Sequence, residues 1–210
     1  MSKDKAKLTE ERILQCAQAE FLKKGFAGAS MRSIAQQAGM TTGAIYRYFP
    51  DKNSLFEALV DPVIAGFKQK LEAAANQQTA HLNTQQILPE YADTEQMLNL
   101  FIGYIYEHFE AFDLLVNSSA GSSRADYVDA LITLDVNMTR SYLEEMTTLS
   151  LPLPDHLTRY LPLLIEQSYR QLLEVVVSRM TREESQHYLE LLMPFLYAGW
   201  STVLKGDHHE

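Results

Sequence analysis

Apolar residues recur at three- and four-residue steps along most of this chain, and alternating β-branched runs are absent. That spacing predicts helices and leaves no segment that reads as a strand. The first helix is expected over about 10–24, with Thr9 as N-cap, Glu10 and Glu11 in the first turn and Gly25 ending it. Its buried stripe is Ile13, Leu14, Ala17 and Phe21. A short helix over 31–38 is capped by Ser30 and stopped at Gly39, and a shorter one over 42–48 is capped by Thr41. Asp51 caps a longer helix over about 52–75, in which Pro62 is expected to produce a kink. The polar, Gln- and Asn-rich stretch 76–93, broken by Pro89, reads as a loop. Asp93 and Gln96 then suggest a capping box opening a helix to about 110, followed by a shorter helix to about 118. After a turn at Gly121-Ser122-Ser123 comes a long helix over 124–149, ending before Leu151-Pro152-Leu153-Pro154. Two more follow, over about 157–180 and 183–204, with Thr181 and Glu184 as a capping box between them and Gly206 as the stop. The expectation is an all-α chain of about nine helices, with no internal repeat.

Composition narrows the class. With 46% hydrophobic and 21% charged residues among 210, the chain is globular rather than disordered, and long enough for one domain or two modest ones. No uncharged apolar run approaches the roughly 18 residues of a membrane helix, and the charged start leads into no signal-peptide core. The expected location is therefore the cytoplasm. A single cysteine, Cys16, excludes an internal disulfide; beside the buried stripe it reads as a packed thiol, with a redox sensor as the alternative.

The net charge of −9 argues by itself against nucleic acid, but it is unevenly spread. Residues 1–60 carry 9 Lys/Arg against 6 Asp/Glu, a net +3, while residues 61–210 carry 9 against 21, a net −12. A basic head on an acidic body suggests two tasks, of which only the first suits phosphate.

The head has the pattern of a helix-turn-helix. Two short helices meet at Gly39, where glycine permits the positive φ of a tight turn. Ile45 and Phe49 are four apart and share one face, so they anchor the third helix on the first two. Thr42, Tyr46 and Arg47 then point outward, a hydroxyl-rich helix start followed by an aromatic hydroxyl and a cation that suits phosphates and base edges in a major groove.

The stretch 9–59 closely resembles the DNA-binding domain of TetR-family transcriptional regulators. The resemblance rests on Ile13-Leu14, Ala17, Phe21 and Gly25-Phe26; on Ser30-Met31-Arg32-Ser33-Ile34-Ala35 and Ala38-Gly39; and above all on Gly43-Ala44-Ile45-Tyr46-Arg47-Tyr48-Phe49 with Lys52 and Leu55. It implies that Thr41, Thr42, Gly43, Ala44 and Tyr46 approach the groove. It also implies that Arg47, Lys52 and the start of the second helix at Ser30, Met31 and Arg32 meet backbone phosphates. Two departures matter. Thr42 stands where the family often has lysine, which removes one phosphate cation and predicts a shallower salt dependence. Thr41 and Ala44 are small, which leaves few side chains for direct base reading.

The resemblance further implies a DNA-binding domain over 1–51 and a helical effector-binding and dimerisation domain over 52–210. In the family the last two long helices of two subunits pair as a four-helix bundle. Here Leu161, Leu164, Ile165, Leu172 and Val176 cover one face of the first, while Leu163, Leu173 and Val177 spread apolar surface around it. The second carries Leu191, Leu192, Phe195, Leu196, Gly199 and Val203, and the small Ala198 and Gly199 admit a close helix. Apolar surface beyond one stripe predicts two buried faces and hence a homodimer, with Leu172, Val176, Leu192, Phe195, Leu196 and Gly199 in the interface. A homodimer fits a pseudo-palindromic double-stranded operator.

An effector pocket is expected among the helices of 95–118, 124–149 and 157–180. Met97, Phe101, Tyr104, Ile105 and His108 fall in one arc, with Phe112 beyond; Tyr127, Leu131, Leu134, Met138 and Tyr142 line the second inner face, with Asp135 at its edge. The candidate ligand contacts are Phe101, Tyr104, His108, Asp135, Met138, Tyr142 and Tyr169. The plainer alternatives are a core histidine at His108, a solvated or arginine-paired Asp135, and a packed Tyr169. An aromatic, acidic pocket suits an organic cation, although −12 over the body is equally the mark of a solvated face.

Nothing suggests catalysis. There is no phosphate loop, dinucleotide fingerprint, zinc-protease pair or nucleophile elbow. The tail Asp207-His208-His209-Glu210 lacks the fixed geometry of a metal site, so no metal and no cofactor are expected. The expected protein is not an enzyme but a homodimeric transcriptional regulator, in this family most often a repressor, whose operator affinity responds to an unknown small molecule. The alternatives are control by a protein partner, or a ligand-binding protein or enzyme with a vestigial head.

Overall fold

In the computed structural model, residues 3–81, 90–148 and 156–205 are described, and within them lie nine α-helices and no strand. They are α1 (Lys3–Gly28), α2 (Met31–Gln37), α3 (Thr42–Ile45), α4 (Lys52–His81), α5 (Tyr91–Glu107), α6 (Phe109–Asn117), α7 (Tyr127–Thr148), α8 (Leu157–Val177) and α9 (Arg182–Lys205). The all-α expectation holds. Leu151-Pro152-Leu153-Pro154, Gly206 and the tail Asp207-His208-His209-Glu210 lie outside the described residues.

Several boundaries differ from expectation for local reasons. α1 starts at Lys3, not after Thr9, because the Thr9 hydroxyl donates to Lys5 O at 2.8 Å and so sits inside the helix. Gly25 (φ 68°, ψ 166°) breaks the helical backbone where a stop is expected, and one further turn follows it. α4 continues through Pro62 and on to His81, taking in the start of the segment read as a loop. α5 opens two residues before Asp93; the Asp93 and Thr94 amides donate to Glu90 O, so the Asp93–Gln96 capping box does not form. The expected caps at Ser30, Thr41 and Asp51 are made, as is the Thr181–Glu184 box, in which each residue's amide donates to the other's side chain at 2.7 and 3.2 Å.

The chain divides into two compact units, Met1–Gly66 with His108–Val128, and Phe67–Glu107 with Asp129–Glu210. Compactness thus separates the chain elsewhere than between residues 51 and 52. In the first unit Ile13, Ala17 and Phe21 of α1, Ile34 and Ala35 of α2, Ile45 of α3 and Leu55, Phe56 and Val60 of α4 close a core with no more than 1% exposure. Leu14 packs half-buried at its edge. Phe21, Phe26 and Phe56 form a triangle of rings 5.3–5.8 Å apart at its centre. α6 joins this core through Leu114 and Leu115, a placement the sequence reading gave to the effector body instead. The Phe26 amide donates to Ser118 O at 2.8 Å, the Ser123 amide to Asn53 Oδ1 at 2.9 Å, and Arg124 grips Asp61 with two hydrogen bonds of 2.7 Å.

The second unit is built from α5, α8, α9, most of α7 and the later part of α4. Its core includes Leu98, Ile102 and Ile105 of α5, Leu131, Val136 and Leu143 of α7, and Leu161, Ile165 and Val175 of α8. Tyr106 donates to Met180 O at 3.0 Å, Tyr188 to Gln171 O at 2.9 Å, and Trp200 Nε1 to Ser168 Oγ at 3.2 Å. No described helix is long and apolar enough to cross a membrane.

Candidate nucleic-acid interface

Three local devices build the turn between α2 and α3. Ser30, in extended backbone, accepts from the Ser33 amide at 3.2 Å and so fixes the first residue of α2. At the other end the Ala38, Gly39 and Met40 amides return to Ile34, Gln36 and Ala35 carbonyls, which closes α2 and carries the chain into Gly39 at φ 67°. A side chain at Gly39 would strain that backbone although no atom lies within 4 Å of its Cβ position. Thr41 then accepts from the Ala44 amide at 3.2 Å and starts α3.

Burial decides what this unit presents. Ile45 is fully buried and Phe49 nearly so, while Tyr46 between them in sequence is 49% exposed and Arg47 is exposed. Ser30, Arg32, Thr41 and Gly43 are exposed, and Thr42 and Ala44 are half-buried. Arg32, Gln36, Gly39, Met40, Thr41 and Thr42 line one open hollow. Gln36 and Met40 were missed as part of this surface. The signal for Gln36 was its position one turn after Arg32 on α2. Among the described residues neither Arg32 nor Arg47 is in an ion pair, so both guanidinium groups remain available to an anion.

Two of the expected contacts stand differently. The Met31 side chain is buried in the core, 7% exposed, although Met31 is the first residue of α2, where a phosphate contact is expected. The Lys52 ammonium is half-buried and bonded to three main-chain carbonyls, those of Phe26 (2.6 Å), Ala29 (3.0 Å) and Ala27 (3.4 Å). Glu20, on α1, also ties the unit together. Its burial works to raise the carboxyl pKa, but hydrogen bonds from Lys24, Gln37 and Ser33 outweigh that and hold it below the usual range.

The matches to known proteins converge on this surface. Residues 13–59 match the family described as "Bacterial regulatory proteins, tetR family". The "Probable HTH-type transcriptional regulator YttP" of Bacillus subtilis (strain 168) is 29% identical over 171 residues, 78% of each chain. The chain carries a TetR-type DNA-binding domain over residues 13–59. It is a DNA-binding transcriptional regulator and not an enzyme. The "HTH-type transcriptional repressor NicS" of Pseudomonas putida is 30% identical over 101 residues, 48% of this chain and 42% of its own length. In fold, the chain is similar to the TetR-family regulator PfmR from Thermus thermophilus, with a TM-score of 0.52 at 16% identity, covering 94% of this chain and all of that one.

The expected effector residues do not form one arc. α5 ends at Glu107, and His108, at φ −126° and ψ 32°, is the N-cap of α6 and belongs to the first unit, so it is not on a face with Phe101 and Tyr104. α5 buries Leu98, Ile102 and Ile105 and leaves Met97 exposed, with Phe101 and Tyr104 half-buried beside that stripe. Phe67 brings these two together, at 5.4 Å from the Phe101 ring and 6.1 Å from that of Tyr104. Lys70 Nζ lies 5.2 Å from the Tyr104 ring, so a cation already sits on this cluster. On α7 Tyr142 is buried and Asp135 and Met138 are half-buried, as is Tyr169 on α8. Burial raises the Tyr142 pKa; it raises that of Tyr104 too, with Glu107 adding to it.

Burial also lifts Asp135 from 3.8 to about 6. A raised carboxyl pKa means that the folded state holds its proton more tightly than the unfolded chain. The cost to stability is absent below about pH 4, grows between pH 4 and 6, and is complete above that. Asp135→Asn removes it, which is worth roughly 3 kcal/mol at neutral pH. The variant is expected to melt several degrees above wild type at pH 7.5 and level with it near pH 4. Thermal scans that give the same difference at both values would contradict this reading of Asp135.

The residues expected at a dimer interface on α8 and α9 also separate. Val176 and Leu192 are buried within the single chain and belong to its core. Leu172 and Leu196 are half-buried. Phe195 is 67% exposed, Gly199 is exposed with nothing within 4 Å of its Cβ position, and Leu191 and Leu163, at 77% and 58%, are exposed as well.

Proposed function

We propose that this regulator is a homodimeric repressor whose operator affinity changes when a small molecule binds within 52–210, residues 1–51 being the part that meets DNA. The observation that carries the DNA side is the pairing of buried Ile45 and Phe49 with outward Tyr46 and Arg47 on the short segment after Gly39. Thr41, Thr42, Gly43, Ala44 and Tyr46 face the groove in this reading, and Ser30, Arg32 and Arg47 meet phosphates. The printed name of NicS, a repressor, supports the sign of the regulation.

The dimer reading rests on Leu163, Leu191 and Phe195, large apolar side chains left open to solvent on the last two helices. Two copies joined there would carry two reading heads for a pseudo-palindrome, with half-sites about 34–36 Å apart. The effector reading rests on the Phe67–Phe101–Tyr104 cluster and on the half-buried carboxyl of Asp135, with Met138, Tyr142 and Tyr169 as further contacts. α4 contributes Lys52–Gly66 to the first unit and later residues to the second, so it is the segment through which a ligand would act on the head.

The DNA side is tested by fluorescence anisotropy on a duplex selected by the full-length chain from a random-sequence library. Tyr46→Ala is expected to weaken that duplex by about 1–3 kcal/mol and to relax sequence preference. Arg47→Ala is expected to weaken all sequences alike and to reduce the salt slope by about 0.9. Unchanged affinity in both variants would refute the groove assignment.

A further inference from the structure

We propose that Lys52 is a positioning residue for DNA binding, a staple that sets the angle between α1 and α2, and that it does not bind phosphate. The inference rests on the reading that α2 and α3 meet DNA. An ammonium has three N–H donors and no acceptor. In Lys52 all three are directed to the chain that leaves α1, with oxygens of Phe26, Ala29 and Ala27 at 2.6, 3.0 and 3.4 Å. The same nitrogen lies 4.4 Å from the centre of the Phe26 ring, so its remaining side is covered by an aromatic face. A phosphate oxygen could be bound only by releasing one of these carbonyls.

The acceptors explain what the staple does. Beyond Gly25 the regular helix is broken; the Ala29 amide donates to Gly25 O at 3.1 Å and more weakly to Phe26 O at 3.3 Å, and the carbonyls at this end keep lone pairs that no further helical amide takes up. They also form the negative end of its dipole, where a cation is favoured. Ala29 immediately precedes Ser30, the N-cap of α2, so the bond to Ala29 O fixes the point at which α2 begins. Lys52 itself is the first residue of α4. One side chain therefore joins the end of α1, the start of α2 and the start of α4, and α3 follows α2 through the closed turn at Gly39. Loss of the ammonium frees the α1–α2 connection while leaving the apolar core residues in place.

A phosphate ligand, a positioning residue and a merely structural residue give three different results. The test uses the full-length chain and the selected duplex, with anisotropy measured between about 50 and 200 mM salt at a temperature well below each variant's melting midpoint. Lys52→Met is expected to bind roughly tenfold more weakly, the scale of a lost charge-assisted hydrogen bond, with a salt slope equal to that of wild type. Arg47→Ala, measured beside it, reports the reduced slope of a lost phosphate contact. A slope in Lys52→Met that falls as it does in Arg47→Ala would overturn the proposal in favour of direct phosphate binding. A lowered melting midpoint with unchanged affinity would overturn it in favour of a purely structural role. If Lys52→Met does not fold, Lys52→Gln is read in the same way, since its shorter neutral amide cannot hold three carbonyls. A wild-type chain that selects no duplex would instead refute the DNA-facing reading on which the proposal rests.

Discussion

Phe56→Ala is expected to cost about 3–5 kcal/mol, the largest stability loss of any single substitution considered for this chain. Phe56 has no exposed surface, and its ring meets Phe21 and Phe26 edge-on at 5.3 and 5.4 Å. Those two rings belong to α1 on either side of the break at Gly25, so Phe56 is the contact through which α4 holds both parts of α1. Its removal leaves a cavity at the centre of the first unit, and the surrounding helices collapse into it only in part. Because Ile45 anchors α3 in the same core, loss of order here removes the platform on which Tyr46 and Arg47 are displayed. Urea denaturation followed by circular dichroism should show a markedly lower midpoint, with weakened DNA binding even where the helices persist. A midpoint within experimental error of wild type would mean that the aromatic triangle does not govern the stability of the head.

The second large effect concerns assembly. Phe195→Glu is expected to convert a dimer into a monomer and to weaken binding to a two-half-site duplex by about two orders of magnitude or more. Phe195 stands 67% exposed, one turn from Leu191 at 77%, and Gly199 a turn further on leaves open space for an approaching helix. A carboxylate at the centre of such a surface costs the protomer little, because the position faces solvent there, but it cannot be buried unpaired against a second copy. Sedimentation velocity should give a monomer with unchanged helical content. A wild-type chain that is already monomeric, or a variant that stays dimeric, would contradict the interface reading.

How much of this was legible in the sequence depended on range. Ser30, Thr41, Asp51 and the Thr181–Glu184 box could be read because a cap is made with an amide two or three residues away. Ile45 and Phe49 were legible for a similar reason, since four-residue spacing alone places them on one face. The same logic failed at Thr9, whose hydroxyl is satisfied by its own helix, and at Asp93, where Glu90 supplies the first carbonyl. On α5 two adjacent stripes, Met97-Phe101-Tyr104-Ile105 and Leu98-Ile102-Ile105, share Ile105 and fit a helical period equally well. The choice between them is made by neighbouring helices, and it fell on the second. His108 was misplaced because the sequence carries no glycine or proline to mark the break after Glu107. The docking of α6 on the head and the three carbonyls around Lys52 are contacts between distant parts of the chain, which periodicity does not address. Family resemblance pointed Lys52 toward phosphate, and only the geometry shows how its donors are used.

The central claim is that an exposed segment after Gly39 reads DNA on behalf of a regulator. The most direct test is to incubate the purified full-length chain with sheared genomic DNA at near-physiological salt, recover the bound fragments and sequence them, with Tyr46→Ala in parallel. The account predicts a small set of enriched fragments sharing one pseudo-palindrome, its half-sites about one helical turn apart, and loss of that enrichment in the variant. Retention of fragments without a shared sequence, or equal enrichment by wild type and Tyr46→Ala, would contradict it.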